Sequence, residues 1–202
     1  MKTKVWIALL ALYIVWGSTY LAIRFSVETI PPFLHASIRF LISGAILFLW
    51  RRAAGDAIPT KSNWKSAAIV GTLLLLGGNG LVALAEKNIP SGIAALVIST
   101  SPFWLVLFES LRSGGTKPNW QSIIGLVIGF GGVFLLIGPD EITGSGQQFN
   151  TFSVILLLIA PFLWSLGSIY ARGADMPKST LISTGMQMLT GSVALFVVSV
   201  VT

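Results

Sequence analysis

Cysteine is absent from this chain of 202 residues, and histidine occurs once, at position 35. Without thiols there can be no disulfide and no thiolate metal site, so cysteine usage leaves the redox compartment open. Charge is scarce as well. Only 10% of residues are charged, against about 25% in an ordinary soluble domain. The sequence contains no H-E-x-x-H, no G-x-S-x-G, no phosphate-binding loop and no close carboxylate pair inside an apolar run. Metal-assisted and dyad hydrolysis therefore lack their parts, a serine mechanism would have to recruit His35 with nothing to hold the nucleophile, and an ATP-driven pump has no nucleotide site. The chain is not read as an enzyme, and no cofactor or metal is expected.

What is abundant is hydrocarbon. Hydrophobic residues make up 54% of the chain, and the mean hydropathy is +0.84. A water-soluble fold of this length needs a polar shell, and twenty charged side chains cannot supply one. Seven Trp and twelve Phe suit a lipid environment, where such rings gather near the headgroups. The net charge of +6 does not indicate nucleic acid, because the basic residues sit in short gaps between apolar runs rather than on one face.

About 20 apolar helical residues cross a bilayer core. Seven segments meet that length: 5–24, 32–50, 67–85, 91–111, 120–138, 152–171 and 180–201. The breaks carry turn chemistry, with Pro31-Pro32, Asn88-Ile89-Pro90, Lys117-Pro118-Asn119 and Met176-Pro177 each stopping or starting a helix. Pro139 to Asn150, acidic and rich in Gly and Ser, reads as a solvent-exposed loop. Lys2 and Lys4 precede the first run as in a secretory signal, but the run is too long, lacks a cleavage site and is followed by six more. The fold class expected is therefore all-α and polytopic.

Basic residues fix the orientation. With the N-terminus in the cytoplasm, Lys2, Lys4, Arg51, Arg52, Lys61, Lys65, Arg112, Lys117, Arg172 and Lys178 lie inside, and Arg24 and Lys87 outside. Glu28, Glu86, Asp140 and Glu141 then fall outside or at the outer rim.

Polar groups within the spans are costly and become functional candidates. His35, Arg39 and Ser43 are spaced by four and share one face of the second span. Arg39 either holds an anionic group of a solute, braces neighbouring helices, or snorkels to the outer headgroups. In the first span, Tyr13, Gly17, Tyr20 and Arg24 follow one face with Trp16 and Thr19 beside it, which suits a pocket for flat solutes or simple helix packing. Arg24 itself reads as an interfacial anchor. Asn79 and Glu86 share a face of the third span, with Gly77, Gly78 and Gly80 weakening the helix around Asn79. Glu86 is the carboxylate best placed to exchange protons with the outside, unless it is only a rim charge beside Lys87. Glu109 is expected to pair with Arg112. Thr100 belongs to the polar Ser99–Ser101 stretch in mid-membrane, where Pro102 frees a carbonyl and could kink the helix into a gate. Gly125 and Gly129 read as a close-packing pair, within the chain or between copies in a homo-oligomer.

Sliding the chain by 148 residues pairs Trp16 with Trp164, Arg24 with Arg172, Leu41 with Leu189, Leu47 with Leu195 and Phe48 with Phe196, and sets Gln187 against Arg39. If the sixth span repeats the first, each repeat has five helices, and an odd number inverts the second copy. That division places a first repeat at 1–148 and the start of a second at 149–202.

The stretch Trp16-Gly17-Ser18-Thr19-Tyr20-Leu21-Ala22-Ile23-Arg24, followed by Pro31-Pro32 and Ile38-Arg39-Phe40, resembles the opening of EamA-type exporters of the drug/metabolite transporter superfamily. So does Gly78-Asn79-Gly80 leading through Ala85-Glu86 to Pro90-Ser91-Gly92-Ile93-Ala94-Ala95, in the manner of the bacterial YedA-like branch. The resemblance implies ten helices in two inverted repeats, an inner-membrane location, and export of small metabolites such as amino-acid derivatives, purine-like compounds or amphiphilic drugs. Proton coupling is the natural expectation for such exporters, although no carboxylate lies near the membrane centre. Against ten helices, a chain ending at Thr202 is expected to be a piece of a longer one. The partners expected are the lipid bilayer and a small-molecule solute, with no nucleic acid. The span count also suggests a seven-helix receptor, or a structural membrane protein. An inside N-terminus with seven spans puts the C-terminus outside, opposite to a receptor, and the last span has no Lys for a retinal Schiff base.

Overall fold

A computed structural model describes residues 2–137 and 150–201, and every regular element among them is helical. In chain order these are α1 (Lys2–Val27), α2 (Pro32–Ala53), α3 (Lys61–Gly71), a π-helical segment (Thr72–Gly80), α4 (Leu81–Ala85), α5 (Ser91–Ile98), α6 (Ser101–Leu111), α7 (Trp120–Ile137), α8 (Thr151–Gly173) and α9 (Thr180–Val201). The α3–π–α4 run forms one span, as does α5–α6. Among the described residues six helical runs are long and apolar enough to cross a membrane, and the fifth of the seven expected spans falls on α7, apolar over Trp120–Gly132. The Gly- and Ser-rich loop, with Asp140 and Glu141, lies outside the described residues. Its last residue, Asn150, caps α8 by accepting from the amides of Phe152 and Ser153.

Interhelical pairings agree with alternating crossings. Ser37 donates to the Ser192 carbonyl near one end of the α2–α9 contact, and Gly185 meets Phe48 near the other, so these helices run antiparallel. Thr190 reaches the Ala67 carbonyl and Leu75 packs with Leu195, so the third and seventh spans run parallel. Asn88 bonds Ser153 while Asn63 bonds the Asp175 carbonyl, so the third and sixth run antiparallel. Ser165 donates to the Ser101 carbonyl and Arg172 to Glu109, so the fourth and sixth run parallel. Each relation is the one that successive crossings require.

Charge segregates accordingly. One end gathers Arg51, Arg52, Asp56, Glu109 and Arg172, and the other Arg24, Glu28 and Glu86. Arg51 grips Asp56 through two bonds of 3.0 and 2.7 Å. That grip, helped by Ser179, holds the Asp56 carboxyl below the ordinary carboxylate range. The expected Glu109–Arg112 pair does not form. Arg112 leaves the helix in extended backbone, and Glu109 binds Arg172 at 2.6 Å instead.

Close packing depends on glycines in α2, the third span and α9. Gly44 lies against Gly185 and Met188, and Gly71 against Gln187, Thr190 and Gly191. The pair singled out by sequence, Gly125 and Gly129, faces open space: among the described residues nothing comes within 4 Å of a side chain added at either position. At the start of α3, Thr60 and Asn63 form a reciprocal capping box, and the Asn63 amide also reaches Asp175. Asn63→Ala is expected to cost about 1 kcal/mol, read as a lower thermal midpoint in detergent, with Asn63→Asp losing less because it keeps the accepting oxygen.

Candidate functional site

Two polar groupings and one cleft make up the candidate site. The first grouping lies on α2. His35 and Arg39 are half-buried one turn apart, and Ser43 is exposed and donates to the Arg39 carbonyl at 2.8 Å. The Arg39 guanidinium carbon sits 4.5 Å from the centre of the Phe40 ring, a cation–π contact that holds it near its own helix. Arg39 Nε and His35 Nδ1 are buried atoms without a hydrogen-bond partner. Unpartnered polar atoms inside an apolar bundle require an explanation, and a water or solute pathway is one.

The second grouping lies between α1 and α4, at the end of the bundle opposite Arg51 and Arg172. Arg24 donates from Nη1 to the backbone carbonyl of Glu86, and its Nε lies 3.9 Å from Glu28. Glu86 has no solvent exposure, and neither carboxylate oxygen has a hydrogen-bond partner. Glu86 is therefore not a rim charge beside Lys87: Lys87 is exposed whereas Glu86 is buried. Tyr20 is half-buried, packs on the core cluster of Val82, Ala85 and Leu157, and lies within electrostatic range of Glu86. Glu86 follows the last residue of its span, and burial pushes its carboxyl up to about 8 against the opposing pull of Arg24. Trp16 is more than half exposed, and Thr19 bonds back to the Val15 carbonyl at 2.8 Å.

Between the two groupings the third span changes pitch. Asn79 is half-buried in the π segment, the wider helix that often marks functional positions. Glycine is required here by contact: Gly77 takes the Leu163 side chain, Gly78 the Trp164 ring, and Gly80 both Leu195 and Phe33. No hydrogen bond or ion pair among the described residues joins the α2 grouping to Glu86.

The fourth span breaks where sequence placed a kink. α5 ends at Ile98 and α6 restarts at Ser101, with Pro102 in the first turn of the new helix rather than in the middle of a bent one. The carbonyl that Pro102 leaves free, that of Ile98, accepts from Ser101 Oγ at 2.6 Å, and Thr100 Oγ1 takes the Val97 carbonyl. Below this break lies a cleft of about 660 Å³ walled by Phe103, Trp104, Phe130 and Leu158, with Thr100 at its polar edge. A polar mouth holding Glu109, Lys117 and Arg172 adjoins it. Sequence reading named Thr100 but missed these rings, whose signal was the aromatic run at 103, 104 and 108. Gln187 is half-buried on α9 and donates to Ser183 at 3.2 Å.

A bundle of alternating apolar helices, with unpartnered ionisable groups inside it and an aromatic cleft, defines a polytopic membrane protein built around a polar interior. Residues 3–138 match the EamA-like transporter family, and the chain belongs to it. The inner membrane transporter YedA of Escherichia coli K12, described as uncharacterized, is 37% identical over 195 residues, covering 96% of this chain and 61% of that protein. The uncharacterized transporter YvbV of Bacillus subtilis is 25% identical over 196 residues, covering 97% of this chain and 63% of its own length. A chloroplastic WAT1-related protein of Arabidopsis thaliana is 23% identical over 199 residues, which cover 97% of this chain and 47% of that protein. The chain thus spans about three fifths of the length of the bacterial relatives it matches. No solved structure matches it.

Proposed function

We propose that this protein is part or all of a secondary-active exporter of the bacterial inner membrane, moving small metabolites or drug-like solutes by alternating access between inverted repeats, with protons as counter-ion. One observation carries the reading. The 148-residue shift carries Pro32, the start of α2, onto Thr180, the start of α9, and both helices have 22 residues. The same shift carries residue 3, in the first turn of α1, onto Thr151, where α8 begins. The equivalent helices α2 and α9 then face each other antiparallel. A two-fold axis in the membrane plane produces that relation, and rocking of two such repeats about it is a known route to alternating access. Family membership and the transporter names of the relatives support the same reading.

The full-length gene product reconstituted in proteoliposomes tests it. Aromatic amino acids, purine nucleosides and a lipophilic cationic dye are suitable probes. Saturable counterflow of at least one, faster with an imposed pH gradient, is the expected result. A protein that folds and inserts but gives no saturable flux with any of the three classes would remove the export reading.

A further inference from the structure

α1 is held to the rest of the bundle at its outer end. Among its described residues the buried ones are Ile23 and Val27, which cluster with Ala83 of α4. Tyr20 packs one turn earlier, and Arg24 makes the one interhelical hydrogen bond of this helix among the described residues. From Val5 to Gly17, α1 is exposed throughout. The attachment therefore rests on a patch of two turns, and beside it lies Glu86, the one charged side chain that is fully buried among the described residues.

We propose that Glu86 is a proton-binding site and that its charge sets the strength of an outer latch between the first and third spans, made by Arg24. The reasoning is electrostatic. With Glu86 ionised, the Arg24 guanidinium is attracted to both the carboxylate and the carbonyl of the same residue. With Glu86 protonated, it keeps only the carbonyl and the more distant Glu28. In a site this dry, removing one of two interacting charges changes the interaction far more than it would at the surface. The other groups facing the site do not substitute for it. α1 contributes Tyr20 and Glu28, α8 contributes neutral Ser153, α5 brings no charge, and Lys87 points to solvent. From α2, His35 and Arg39 are the nearest titratable and cationic groups, and neither bonds to Glu86. The site would bind a proton from the outer side and release it as the latch tightens. This deepens the export reading by naming the residue through which protons act, and it rests on that reading for its use.

Spin labels on Phe25→Cys and Gly92→Cys test the latch without any solute. Phe25 is exposed, and a side chain at Gly92 meets open space. In nanodiscs of bacterial lipid, the distance distribution is expected to narrow as pH rises, with a midpoint near 8. Infrared difference spectra over the same range should show loss of a protonated carboxyl band. Glu86→Gln should abolish both changes and hold the broad distribution, Glu86→Asp should retain them with a shifted midpoint, and Arg24→Gln should keep the infrared band while losing the change in distance. A distribution insensitive to pH in the native chain, or pH dependence that survives Glu86→Gln, would overturn the proposal. A latch that titrates in a protein without flux would sink the export reading alone, whereas flux with a latch that does not titrate would sink the latch alone.

Discussion

Gly71→Ala should break the contact between the third and seventh spans. A methyl group at this position would meet the Gln187 carbonyl, the Thr190 hydroxyl and the Gly191 amide, and two of these three are backbone atoms that cannot rotate away. The helices would have to move apart, losing the Thr190 bond to the Ala67 carbonyl and the packing of Leu75 on Leu195. Overpacking of a filled core costs about 1–3 kcal/mol, and Val at the same site should cost more. Gly125→Ala is the control, since a side chain there meets nothing within 4 Å and Ala favours a helix over Gly by about 1 kcal/mol. Thermal unfolding in a mild detergent should therefore show a clear drop for Gly71→Ala and none for Gly125→Ala. Equal behaviour of the two variants would mean that α3 and α9 are not in contact.

The second large effect is expected at Arg39. Arg39→Ala should abolish export and Arg39→Lys should impair it, by roughly 10-fold or more in rate, which corresponds to about 1.4 kcal/mol on the barrier. The guanidinium is half-buried, stacks on Phe40 and leaves its Nε unpaired, so it is held ready with a donor to spare. Lysine keeps the charge but not the planar fork that stacks and bonds at once. Initial rates of saturable flux measure the effect, and an unchanged unfolding midpoint separates it from damage to the fold. A fully active Ala variant would remove Arg39 from the pathway and leave it a helix brace.

Much of this architecture could be read along the chain because a bilayer enforces it locally. A span must be apolar for about 20 residues whatever it packs against, so α1, α2, α8 and α9 fall close to the segments expected. The gaps carry basic residues for the same local reason. Contacts between spans were harder to read. Glu109 found Arg172 rather than Arg112 because the helix ends at Leu111, and the partner lies 63 residues along the chain in another span. For Glu86 the sequence allowed either a proton-exchanging carboxylate or a rim charge after an apolar run; its burial comes from the helices packed around α4, which no local pattern shows. The glycines around Asn79 did announce an irregular helix, and the π segment lies there, yet the side chains that require each glycine belong to α8, α9 and α2. Spacing alone suggested a glycine contact at Gly125 and Gly129, within the chain or between copies, whereas within the chain the close approaches among the described residues include Gly44 and Gly71. The boundary between the proposed repeats, at 148 and 149, lies outside the described residues.

Everything above requires the chain to thread a bilayer with its N-terminus inside and its basic end facing the cytoplasm. Single cysteines at Gly92 and Lys178, in a protein that has none of its own, test it most directly with a membrane-impermeant thiol reagent on intact cells. Gly92→Cys is expected to be labelled from outside, whereas Lys178→Cys is labelled only after the inner membrane is opened. Labelling of both from the same side, or the reverse order, would contradict it.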